Sequence, residues 1–91
     1  MDYLVAFNST HQAMEVELWI KEAQLNARLI PTPESIAASC GLALKFNESS
    51  LASIVQHLRK NNQQVDMYQI VIDQQKLKTY VRCQMEGVLN E

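Results

Sequence analysis

Residues 3 to 7, Tyr-Leu-Val-Ala-Phe, form an unbroken apolar run near the start of the chain. A short run with no polar interruption predicts a central strand buried on both faces. Asn8-Ser9-Thr10 follows, and Ser9 or Thr10 can cap a helix, because a hydroxyl accepts from a free amide of the first turn. From His11 onward the spacing becomes helical: Ala13, Val16, Ile20 and Ala23 share a stripe, with Met14 and Leu18 beside it. The helix is expected to end between Gln24 and Asn26. Ala27 to Ile30 reads as a second strand, stopped by Pro31. Pro31 and Pro33 fix two φ angles and bias Ile30 and Thr32 toward extended conformations. Pro33 suits the first position of a short helical turn capped by Thr32. Gly41 then ends that turn or opens the next strand.

In residues 42 to 46, Leu42, Leu44 and Phe46 alternate with Ala43 and Lys45, which predicts a strand with one buried face. Asn47, Ser49 or Ser50 can cap a second helix. Leu51, Ile54, Val55 and Leu58 form its apolar stripe, and Arg59 and Lys60 complement its C-terminal dipole. Met67 to Asp73 returns to period two, with Tyr68, Ile70 and Ile72 on one face and Met67, Gln69 and Val71 on the other. The tail fits two elements. Thr79, Tyr80 and Val81 favour a hairpin strand after an Asp73–Lys76 turn, while Leu77, Val81 and Gln84 or Met85 also match a helix. Each half reads strand, helix, strand. This predicts an α+β, ferredoxin-like βαββαβ arrangement, with two helices on one face of a four-stranded, mainly antiparallel sheet and an extra C-terminal strand or helix. The other sheet face is then solvated, covered by the tail or used in association.

A length of 91 residues fits one domain spanning 1–91. Such a chain buries only about 60% of its unfolded surface, so homodimerisation is a natural way to gain stability. A net charge of −2 without a basic block argues against a nucleic-acid partner. The apolar runs fall well short of the roughly 20 residues a membrane helix needs. The N-terminus lacks the basic and apolar regions of a signal peptide, so a cytoplasmic location is expected. In that reducing compartment Cys40 and Cys83 are expected as free thiols. Neither has a second cysteine at metal spacing, and no metal or cofactor is expected.

Candidate chemistry concentrates between Ile30 and Phe46, which holds both prolines, one of the two glycines and Cys40. Gly41 would permit a positive φ or a close backbone approach beside the thiol. Nearby free amides would favour the thiolate, the reactive form of cysteine. The opposing reading is that Cys40 is a small apolar side chain packed in the core. His11 or His57 could supply a base to Cys40, which only distance can test. Trp19 and Tyr3 are expected to serve the core. Cys83, next to Arg82, could resolve an oxidised Cys40 or be buried or simply exposed.

The segment Ile30-Pro31-Thr32-Pro33, followed by Ser35-Ile36-Ala37-Ala38-Ser39-Cys40-Gly41-Leu42-Ala43-Leu44-Lys45, resembles the hallmark of a family of small bacterial selenium/sulfur carrier protein-like proteins. The opening strand ending in Phe7, the Ser-Thr link with a histidine and the amphipathic helix are similar too. The resemblance implies a carrier in which Cys40 accepts sulfur or selenium as a persulfide or selenopersulfide. It points to Pro31, Thr32, Pro33, Ser39 and Gly41 as the surrounding binding loop, and to donor and acceptor proteins as partners. It also implies an accessible thiol. The alternative is a non-catalytic, dimeric interaction or regulatory module of the same fold.

Overall fold

The computed structural model describes residues 1–38 and 40–84. Its elements are strand β1 (Asp2–Ala6), helix α1 (Thr10–Glu22), strands β2 (Ala27–Pro31) and β3 (Leu42–Asn47), a 3-10 turn (Glu48–Ser50), helix α2 (Leu51–Lys60), and strands β4 (Asp66–Ile72) and β5 (Lys78–Cys83). The strands form one five-stranded sheet in the order β2-β3-β1-β4-β5, and every neighbouring pair is antiparallel. Among the described residues the structure is therefore α+β with two helices. Its sheet has five strands, because residues 78–83 extend it at the β4 edge. Residues 85–91, the rest of the tail, lie outside the described residues. Among the described residues no helix is long and apolar enough to cross a membrane.

The unbroken apolar run explains the position of β1. Tyr3 to Phe7 are all buried, and β1 lies between β3 and β4 at the centre of the sheet. Alternation sends its side chains to two clusters. Tyr3, Val5 and Phe7 join Leu44, Phe46 and Met67, together with Ala13, Val16 and Ile20 of α1 and Ile54, Val55 and Leu58 of α2. Leu4 and Ala6 join Ala43 and Ile70 in a smaller cluster, against which Ile30, Tyr68 and Tyr80 pack. Tyr3 and Phe46 stack within the main cluster, with ring centroids 5.9 Å apart.

Local chemistry sets the ends of the helices. Ser9 caps α1 by accepting from the Gln12 N–H at 3.1 Å. Asn47 accepts from the Ser49 N–H and opens the turn that leads into α2. Both helices close through a residue in left-handed conformation, Gln24 and Asn62, each with φ 55°. Leu25 N–H donates to the Ile20 carbonyl and Gln63 N–H to the Leu58 carbonyl, which is the Schellman pattern. At the β4–β5 hairpin Asp73 accepts from the Gln75 and Leu77 N–H groups, and Lys76 takes a φ of 64°.

Two sequence expectations change here. Ala23, expected in the stripe of α1, is its exposed C-cap, and Met14 and Leu18, expected beside the stripe, are 59% and 60% exposed. Ala13, Val16 and Ile20 are the buried residues of α1, and the partly buried Trp19 packs against the same cluster. The expected short helical turn at Pro33 is instead a single turn, closed by the Ile36 N–H donating to the Pro33 carbonyl at 3.0 Å.

Trp19 of α1 stacks on His57 of α2, with ring centroids 3.7 Å apart and planes within 11°. Burial, and then the nearby Lys60 charge, push the His57 pKa below its ordinary value. The folded state therefore holds the neutral ring while the unfolded chain takes up a proton more readily. The stabilising contribution is complete above the unfolded pKa of about 6.5 and is lost as pH falls toward and through the lowered folded value. Chemical denaturation followed by Trp19 fluorescence should show stability falling on acidification from pH 7.5 to 5.5, with a shallower fall in His57→Gln. Equal slopes in the two proteins would refute this assignment. Separately, Gln24→Gly should raise stability by up to about 1 kcal/mol, because glycine adopts positive φ without the Cβ penalty. A lower denaturation midpoint would contradict that.

Candidate functional site

The segment joining β2 to β3, residues 32 to 41, is a hairpin connection held shut at its base. Pro31 pairs with Leu42 across the two strands. Its missing N–H is tolerated because β2 is an edge strand. Immediately inside that pair, the Thr32 N–H donates to the Gly41 carbonyl at 2.9 Å, and the Thr32 hydroxyl donates to the Cys40 carbonyl at 3.1 Å. Thr32 thus fixes the far end of its own loop instead of capping a helical turn. The structure brings together Pro31, Thr32, Cys40 and Gly41, with Pro33 opening the turn that follows. Ser39, the remaining predicted site residue, lies outside the described residues.

Cys40 is a free thiol, but it is not an exposed one. It is 3% accessible and belongs to the main core cluster. Its sulfur accepts from the Leu42 N–H at 3.4 Å. The hydroxyl of Thr10, the first residue of α1, lies 3.8 Å from it, close enough to donate to sulfur or to accept from S–H. The thiol therefore sits beside a backbone donor, a hydroxyl and the positive end of a thirteen-residue helix. Sequence reasoning anticipated the free amide but missed Thr10, which stood out only as a helix-cap candidate.

The histidines are engaged elsewhere. His11 pairs with Glu15 at 2.6 Å, and His57 stacks on Trp19 and approaches the Asn61 side chain at 3.3 Å. The hydrogen bonds found at the Cys40 sulfur among the described residues involve Thr10 and Leu42, which leaves the Cys–His pair without support. Lys45 lies on the opposite face of β3 from Leu44, away from the main cluster. Cys83 of β5 is half-buried against that cluster, and its thiol donates to the Met67 carbonyl at 3.6 Å. Burial pushes its pKa up, the reverse of what a nucleophilic thiol needs. It lines an open groove of about 530 Å³ with Arg59, Val65, Asp66, Met67, Arg82 and Gln84. Arg82 and Asp66 pair there at 2.7 Å.

Gly41 corrects a further expectation. It has no positive φ, and a Cβ built on it meets nothing within 4 Å. Neither conformation nor packing in the resting structure requires glycine there.

The model of the family described as "Putative Se/S carrier protein-like" covers residues 2–69, which includes β1, both helices, the 32–41 connection and most of β4. No curated protein and no solved structure matches the chain.

The open surroundings of Gly41 make a definite prediction. Gly41→Ala should fold normally and be neutral or stabilising by up to about 1 kcal/mol, through the reduced entropy of the unfolded chain. Urea denaturation is the check, and a loss of more than about 1 kcal/mol would show that Gly41 has a conformational role.

Proposed function

The chain belongs to the Se/S carrier protein-like family, and on that premise we propose that it carries sulfane sulfur, or selenium, on Cys40. The observation that carries the reading is the setting of the Cys40 sulfur, between the Leu42 N–H and the Thr10 hydroxyl at the start of α1. These are groups that suit a negatively charged sulfur. In the loading step the Cys40 thiolate attacks the outer sulfur of a donor persulfide, R–S–SH. The donor S–S bond breaks, a new S–S bond forms, and Cys40–S–SH and R–S⁻ result. In delivery an acceptor thiolate attacks that outer sulfur and regenerates the Cys40 thiolate. Selenium follows the same course through Cys40–S–SeH. Partners are then a donor such as a cysteine desulfurase and a thiol-bearing acceptor. Both steps require Cys40 to leave its buried position.

The strand order β2-β3-β1-β4, antiparallel throughout, supports a ferredoxin-like assignment for the first four strands, with β5 as an added edge. The buried residues that both helices contribute to one cluster support their packing on a single sheet face. Two free thiols suit a cytoplasmic setting. The exposed Val71, Ile72, Leu77 and Val81 on β4, β5 and their hairpin favour a homodimer.

A second reading also has an observation behind it. The 3% exposure of Cys40 suits a core residue of a non-catalytic interaction module. Intact-mass measurement separates the two, on wild type and Cys40→Ser incubated with a cysteine desulfurase and cysteine. The carrier reading predicts that wild type gains one sulfur atom that reductant removes, and that the variant gains none. Equal mass gain in both proteins, or none in either while the desulfurase turns over, would leave the interaction module as the better account.

A further inference from the structure

The connection between β2 and β3 is anchored on both faces of the sheet. Ile36, 7% exposed, belongs to no strand and packs in the smaller cluster with Leu4, Ala6, Ala43 and Ile70. Four residues later, Cys40 is buried in the main cluster with Val5, Leu44 and the residues of α1 and α2. Leu4 and Val5 are neighbours on β1 and point to opposite faces. Ile36 and Cys40 are therefore buried on opposite faces of the sheet. Thr32 ties the returning end down through its two hydrogen bonds, to the Cys40 and Gly41 carbonyls.

We infer that residues 32–41 act as a strap that regulates access to Cys40, with Ile36 on one sheet face and Thr32 at the base as the anchors whose release exposes the thiol. This rests on the carrier reading for its purpose, but not for its physics. The anchors are small: one aliphatic side chain, one hydroxyl bond and one backbone bond. Each can be broken without disturbing the strands, whose ladders begin at the Pro31–Leu42 pair. Because Ile36 sits on the face opposite the thiol, anything that takes its place against Leu4, Ala6, Ala43 and Ile70 loosens the segment that holds Cys40. A protein donor that docks on that face with an apolar side chain would thereby open the site it loads.

The test uses alkylation of Cys40 by iodoacetamide, measured by mass spectrometry in a Cys83→Ser background, so it needs no sulfur donor. Three variants are compared. Ile36→Val and Ile70→Val each delete one methyl group from the same cluster, the first on the strap and the second on β4. Thr32→Val removes the hydroxyl bond and keeps the side-chain shape. The strap predicts alkylation about three- to tenfold faster in both Ile36→Val and Thr32→Val, from a weakened anchor, with little change in Ile70→Val. If either strap variant fails to outpace Ile70→Val, the inference is overturned. The two proposals also fail separately. Faster alkylation in a protein that gains no sulfur from a desulfurase would retain the strap and remove the carrier.

Discussion

The structure depends on one strand having to be covered on both sides. β1 is apolar at every position from Tyr3 to Ala6, and Phe7 continues the run. Burying a large aliphatic or aromatic side chain is worth about 1.5–3 kcal/mol, so neither face of β1 can be left to water cheaply. Val5 and Phe7 share one buried cluster with Val16, Ile20, Ile54, Val55 and Leu58 of the two helices. Among the described residues, the members of the second cluster come from strands and from one loop. Leu4 and Ala6 are covered there by Ala43, Ile70, the partly buried Ile30, Tyr68 and Tyr80, and one residue of a loop, Ile36. The β2–β3 connection is thus recruited into the core by the same constraint that places β1 at the centre.

That recruitment links packing to chemistry. A loop that must send Ile36 to one face and rejoin the sheet at Leu42 has few routes, and the one it takes puts Cys40 under the first residue of α1. The resting thiol is protected from adventitious alkylation and oxidation, which follow thiolate character and exposure. It also lies against the Leu42 N–H and the Thr10 hydroxyl. Protection and readiness are compatible only if the segment opens locally, at a free energy below that of global unfolding. Among the described residues, Cys83 instead donates its S–H to the Met67 carbonyl, and burial pushes its pKa up.

Much of this was legible in the sequence because it was periodic. The two-faced run of β1, the stripe of α2 and the alternation of β4 identify their elements and their inward sides directly. Periodicity was less informative where apolar residues were not confined to one side. Met14 and Leu18 could not be told from the inward stripe of α1, since the apolar positions spread around that helix. Ala43 occupied the polar phase of its strand pattern yet is fully buried, because Ile36 and Leu4 share its face. The site was legible as a place but not as a geometry. Cys40 and its prolines marked the segment, whereas the reach of Thr32 back to Cys40 and the burial of Ile36 and Cys40 on opposite faces depend on a loop path that no repeat encodes. Gly41 was read as permitting a positive φ, whereas among the described residues the left-handed positions are Gln24, Asn62 and Lys76.

The central claim is that Cys40 becomes reactive through local opening of a folded protein. Its most direct test is the urea dependence of Cys40 alkylation in the Cys83→Ser protein, measured beside the global unfolding transition. Local release of a short segment exposes little surface, so the rate should be nearly flat at low urea and turn upward only as unfolding becomes the faster route. A rate that climbs from zero urea with the full slope of global unfolding would mean that the thiol is reached only when the fold is lost, and the account would be wrong.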